Sequence, residues 1–159
     1  MSRARRSDGN ITRESILEAA GELIAEKGFA QTTNKEIAKK ASVDLAAINY
    51  HFGGRDGLYL AVLTHAHHHY LDGEQLARLA ASELPAEDKL GTFLETFLSK
   101  LSNPDDWHGR VFAREMLSPS AQLGDFINAE GAGKIQSVRR IVGEAAGLSA
   151  EDPRLLPCM

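Results

Sequence analysis

Residues 45–55 read LAAINYHFGGR and carry the side chains best suited to meeting another molecule. Asn49 holds a donor and an acceptor side by side, which suits a base edge or a phosphate oxygen. Tyr50 and His51 have polar tips on flat bodies and match a sugar-phosphate wall. His51 equally fits a helix C-cap, where an imidazole meets the last carbonyls. Leu45 could touch a thymine methyl, and Ala46 and Ala47 are too small to obstruct a groove. Arg55 brings a positive charge to a helix start whose free N–H groups already favour an anion. Asp44 either caps the helix or accepts from a cytosine amino group, because a bare carboxylate would repel phosphate. Phe52 is expected in the core and Tyr50 outside it.

Two other clusters stand out. In HAHHHY, residues 65–70, His65 has helical spacing to both His68 and His69. Such pairs either share a metal ion or are plain helix surface. No acidic or Cys ligand is paired with them in the sequence, so no metal is expected. Trp107, Phe112, Met116, Phe93 and Phe97 either form core or line an effector cavity. In the second case Trp107, Arg110, Arg114 and His108 are its candidate contacts. Catalytic signatures are missing: there is no phosphate-cradling Gly motif, no HExxH and no nucleophile elbow. The lone Cys158 sits in a tail. Neither an enzyme nor a cofactor is expected.

The elements that must position these residues are helical. Residues 1–10 are Arg-rich and polar and are expected to be a flexible arm. Thr12 is a candidate N-cap for a helix to Lys27 with Ile16, Leu17, Ala20, Leu23 and Ile24 on one stripe, closed by Gly28. Thr33 with Glu36 forms a capping box, so a short helix starts at Asn34 with Ile37, Ala38 and Ala41 inside. After a break at Ser42-Val43, a second short helix follows from about Asp44. Two short helices separated by a few residues form the helix-turn-helix pattern, in which the second helix enters the DNA major groove. Gly53-Gly54 ends it, and a longer helix from Arg55 to about Leu71 has Leu58, Ala61, Val62, His65 and His69 on one face. Pro85 opens a helix over 86–101 on Leu90, Phe93, Leu94, Phe97 and Leu101. Trp107–Leu117 is helical, with Val111, Phe112 and Met116 inside. Residues 121–146 read as one helix with a soft spot at Gly131-Ala132-Gly133. Strand-type alternation is absent, so the class is all-α, with about seven helices.

Bulk properties narrow the function. Of 159 residues, 43% are apolar and 25% charged, which excludes the disordered class. The longest apolar run is far short of a membrane span, and Arg3, Arg5 and Arg6 precede no apolar signal region. A single cysteine fits a reducing cytoplasm. The net charge of −4 argues against a polyanionic partner, but its distribution does not. Residues 1–55 hold nine Lys/Arg and seven Asp/Glu, a net +2, and residues 56–159 hold nine and fifteen, a net −6. One end alone can therefore face a polyanion.

The segment TTNKEIAKKASVDLAAINYHFGGRDGLYLAVL resembles the DNA-binding domain of the TetR family of bacterial transcription repressors. Thr33, Ile37, Ala38, Val43, Ile48, Tyr50, His51, Phe52, Arg55 and Leu58 match the family pattern, as does ILEAAGELIAEKGFAQTT at 16–33. AAINYHFGG together with REMLSP at 114–119 is similar to a branch with a CerR-like C-terminal domain. The resemblance implies residues 11–54 as the DNA-binding domain and 55–159 as a helical effector-binding and dimerisation domain. It implies a cytoplasmic, ligand-responsive repressor that binds a palindromic operator in double-stranded DNA as a homodimer and responds to a small-molecule effector. On it, Thr33, Tyr50, His51 and Arg55 hold phosphates, and Asp44, Leu45, Ala46 and Asn49 face base edges. The family usually continues into two long pairing helices, so this chain is expected to be truncated after Pro157-Cys158-Met159. A metal-sensing regulator using the His65–His69 cluster, or a helical interaction module without DNA binding, is the alternative.

Overall fold

The computed structural model describes residues 2–101, 103, 105–126 and 131–155. Ile127, Cys158 and the side chains of Arg3, Arg5, Arg6 and Leu101 lie outside the described residues. Within them the chain forms nine α-helices and two short 3-10 turns. They are α1 (Ser2–Lys27), α2 (Asn34–Ala41), α3 (Leu45–Phe52), α4 (Arg55–Tyr70), α5 (Gly73–Ala81), α6 (Ala86–Leu101), α7 (Trp107–Leu117), α8 (Gln122–Phe126) and α9 (Ala132–Ala146).

Ile16, Leu17, Ala20 and Ile24 form the buried stripe of α1. Gly28, at φ 86°, stops the helix, and its N–H bonds to the Ile24 carbonyl at 2.8 Å. That stripe meets Ile37 and Ala38 of α2, Ile48 of α3, Leu58, Tyr59, Val62, Leu63 and Ala66 of α4, and Trp107 and Val111 of α7 in one buried cluster. The cluster runs across residues 54 and 55, so α4 and α7 complete the core of the first three helices. A second, smaller cluster joins Leu76 and Ala80 of α5 to Ile141 of α9, flanked by Leu90 and Phe93 of α6. Each fully buried Ile or Leu contributes about 1.5–3 kcal/mol of transfer free energy.

Several expectations need correction. α1 begins at Ser2, so Thr12 lies inside the helix, and residues 2–10, expected as an arm, are its first turns. The Arg and Ala residues there are good helix formers, and one glycine does not outweigh them. α5 was not anticipated. Asp72 caps it, accepting from the Glu74 and Gln75 N–H groups at 2.9 and 3.2 Å. The inward face of α4 is Leu58, Tyr59, Val62, Leu63, Ala66 and Tyr70, and His65 and His69 are exposed. The helix is rotated from the expected face because α1 and α7 both pack on it, which favours the larger stripe of Tyr and Leu. Leu94 and Met116 are 42% and 56% exposed, outside both clusters. Of the expected helix over 121–146, the described parts are α8 and α9, with Gly131 in helical backbone at φ −84°, and residues 127–130 lie outside the described residues.

Candidate nucleic-acid interface

The helix-turn-helix is built by local chemistry. The Thr33 hydroxyl accepts from the Glu36 N–H at 3.3 Å, and the Glu36 carboxylate accepts from the Thr33 N–H at 2.9 Å. This capping box satisfies two otherwise orphaned donors and starts α2. Lys27 on α1 pairs with the same carboxylate, and these contacts hold Glu36 down at about 2. Ser42 adopts the left-handed conformation at φ 57°, turning the chain between α2 and α3. Thr32 is buried and donates to the Gly28 carbonyl at 2.9 Å.

α3 divides cleanly. Ile48 is fully buried and anchors the helix, with Ala47 and Phe52 half-buried against the same cluster. Leu45, Ala46, Asn49 and Tyr50 face solvent, spaced i, i+1, i+4 and i+5. Tyr50 is 85% and Leu45 48% exposed. His51 is half-buried, and its ring meets Tyr50 edge-on at 4.9 Å. Arg13 of α1 sits over the Phe52 ring at 5.0 Å, placing a cation beside the end of α3. Asp44 occupies the N-cap position, but its side chain makes no cap hydrogen bond, against the expectation of a capping carboxylate. Its backbone carbonyl accepts from the Ala47 N–H at 2.9 Å instead, and the residue is exposed. Thr33 is exposed at the start of α2.

Gly53 and Gly54, at φ 72° and 124°, make the turn into α4. Such angles are cheap only for glycine. Arg55, expected on a phosphate, is tied back to the protein. Its Nη2 donates to the Phe29 carbonyl at 2.6 Å, and its guanidinium lies 4.5 Å from the Phe29 ring centre. Phe29 in turn stacks on Tyr59 at 4.0 Å. The carbonyls after the α1 stop compete for this cation, and sequence spacing does not reveal them.

The effector candidates in the second half do not converge. Trp107 is buried, donating from Nε1 to Glu18 at 2.8 Å and stacking on His108 at 3.8 Å. It is a core residue between α1 and α7. Arg110 and Arg114 are exposed, with Arg114 lying over Gly28. A cavity of about 130 Å³ lies elsewhere, lined by Tyr70, Leu71, Gln75, Leu79, Phe93, Phe97 and Lys100 among others. No helix among the described residues is long and apolar enough to cross a membrane.

Comparisons with known proteins agree with this geometry. Residues 16–62 match the model of bacterial regulatory proteins of the tetR family. Residues 86–159 match the C-terminal domain of the HTH-type transcriptional dual regulator CecR, which is the branch that 114–119 resembled. The chain is 39% identical over 111 residues to the HTH-type transcriptional repressor Rv3405c of Mycobacterium tuberculosis, covering 69% of this chain and 50% of that protein. It is 35% identical over 83 residues to the HTH-type transcriptional regulator TtgR of Pseudomonas putida, covering 52% of this chain and 38% of that one. The fold is similar to the crystal structure of HlyIIR, a hemolysin II transcriptional regulator, with a TM-score of 0.65 and 26% identity over 87% of this chain and 75% of that one. The chain spans about half the length of the mycobacterial relative.

Proposed function

Because the chain belongs to the TetR family, we propose that it is a sequence-specific DNA-binding transcriptional regulator that represses as a homodimer on a palindromic operator. The observation that carries this reading is α3: one face anchored by Ile48, the other offering Leu45, Ala46, Asn49 and Tyr50 to solvent. Asn49, Leu45 and Ala46 are assigned to base edges, and Tyr50, His51 and Thr33 to the sugar-phosphate wall. Asp44 is assigned to a cytosine amino group, since its carboxylate is not used as a cap. Arg55 is assigned to holding the turn, with Arg13 supplying a nearby cation. The protein works in the cytoplasm, where its DNA lies.

A small-molecule effector is part of the proposal, and its site includes the cavity beside Tyr70 and Phe97. At about 130 Å³ that cavity is smaller than the roughly 300–1,000 Å³ of typical ligand sites, so occupancy would require α5 and α6 to part.

The test is selection of bound duplexes from random DNA, followed by titration at several salt concentrations. A two-fold symmetric consensus and affinity falling with salt are expected. Asn49→Ala should change which sequence is preferred, and Tyr50→Ala should weaken binding to all sequences alike. Retention on DNA that is indifferent to salt and to both substitutions would refute the assignment.

A further inference from the structure

Four side chains that are far apart in the sequence meet at the C-terminal end of α4. His65 and His69 lie one turn apart on α4, and Asp106 and His108 flank the first residue of α7. His65 Nδ1 lies 3.0 Å from His108 Nε2. His69 Nε2 lies 3.0 Å from Asp106 Oδ2, and His108 Nδ1 lies 2.5 Å from Asp106 Oδ1. One ligand atom each from His69, Asp106 and His108 falls within 4.8 Å of the other two. The rings of His65 and His69 stack on His108 with centres 5.0 and 4.3 Å away.

We propose that His69, Asp106 and His108 bind a divalent transition-metal ion of the zinc class, with His65 packed against His108 outside the ligand set. The sequence suggested His65 with His69 as the pair. The fold instead joins His69 to a carboxylate and an imidazole from α7.

The donor chemistry selects the ion. Imidazole nitrogens with one carboxylate oxygen and no sulfur suit zinc, cobalt, nickel or copper, whereas magnesium and calcium prefer oxygen alone. The spacing agrees. Bonds of about 2.0–2.2 Å in a tetrahedral site put neighbouring ligand atoms roughly 3.3 Å apart, close to the 3.0 Å between His69 Nε2 and Asp106 Oδ2. His69 is 46% exposed and can rotate to close the remaining gap. The frame around it is firm. Tyr70 donates to Asp106 Oδ2 at 3.1 Å, Asp106 Oδ1 accepts from the His108 N–H at 3.0 Å, and Trp107 fixes the helix start against α1. Outer partners of this kind orient ligating groups in metal sites. The cluster lies fourteen residues along α4 from Arg55, about 21 Å at 1.5 Å per residue, so it is separate from the proposed DNA face.

The test uses the untagged full chain, stripped with a chelator and titrated with zinc by calorimetry and with cobalt by visible absorption. One ion per chain is expected, with tetrahedral cobalt bands and no thiolate charge-transfer band. His69→Ala, at an exposed position, should keep its circular-dichroism spectrum and weaken binding roughly 100-fold or more, at or beyond the top of the range for disturbing a ligand's support. His108→Ala should do the same, and His68→Ala, one residue away from the cluster's His69, should leave the affinity unchanged. Absence of saturable one-to-one binding, or unaltered affinity in folded His69→Ala, overturns the proposal. Because DNA is absent from the assay, its outcome is independent of whether α3 reads a groove.

Discussion

Gly21 lies in the middle of α1, where a glycine is ordinarily a weakness. Replacing an exposed helical glycine by alanine usually stabilises by about 0.5–1 kcal/mol. Here the sign should reverse. A Cβ on Gly21 would lie 2.5 Å from three atoms of the Trp107 indole, well inside van der Waals contact. The indole has little room to retreat: it is 3% exposed, bonded to Glu18 at 2.8 Å and stacked on His108 at 3.8 Å. Overfilling a packed site costs about 1–3 kcal/mol, and subtracting the alanine gain leaves a net loss of roughly 0.5–2 kcal/mol. For a chain of this size that lowers Tm by roughly 2–6 °C. Gly91 in α6 is the control, since a Cβ there meets nothing within 4 Å. Gly91→Ala should raise Tm by roughly 1–3 °C. Thermal melts of both variants decide the matter, and the emission of the single tryptophan should shift only in Gly21→Ala. If Gly21→Ala melts higher than the parent, as Gly91→Ala should, the proposed close contact of α1 and α7 is wrong.

Ile48→Ala should cost about 2–5 kcal/mol in urea unfolding, because it hollows the anchor of α3, whereas Tyr50→Ala should stay within about 0.5 kcal/mol. Thr33→Ala should cost about 1 kcal/mol through loss of the capping box, read by the same unfolding curves. His67 sits against Phe126, and burial, reinforced by Lys134 and His68, lowers its pKa from 6.5 to about 4. Between those pH values the unfolded chain takes up a proton that the folded chain refuses, so stability falls as pH falls through the window. The effect is at most about 3 kcal/mol, and His67→Leu should flatten that part of the stability–pH curve relative to the parent. Identical slopes in both proteins would refute the burial of His67 as the cause.

What the sequence made legible was chiefly local. Thr33 and Glu36 stand three apart and form the capping box by themselves, and the glycines at 53 and 54 announce a sharp turn. The exposure of Asn49 and Tyr50 follows from Ile48, because a short helix has one inward face and the largest aliphatic residue takes it. What was not legible depended on contacts between distant elements. α5 is the exception, since the Asp72 cap and the Leu76, Leu79 and Ala80 stripe at i, i+3 and i+4 are a local signal. The rotation of α4 was decided by α1 and α7 together. Arg55 found carbonyls at Phe29 and Ala30, and Asp106 and His108 met His69 across thirty-seven and thirty-nine positions, which no local pattern records.

The tether from Arg55 to the chain just after α1 has a mechanical consequence. The double glycine is a loose joint in the backbone, but Leu58, Tyr59 and Val62 already seat α4 in the core that holds Ile48. With the guanidinium clasped to Phe29 and that ring stacked on Tyr59, the joint is braced from outside. A twist applied at the Tyr70 end of α4 would then be transmitted as through a lever arm, turning α1 to α3 together as a block. Cutting the brace with Arg55→Met would loosen the turn, while Leu58, Tyr59 and Val62 still hold α4 to the core that anchors α3.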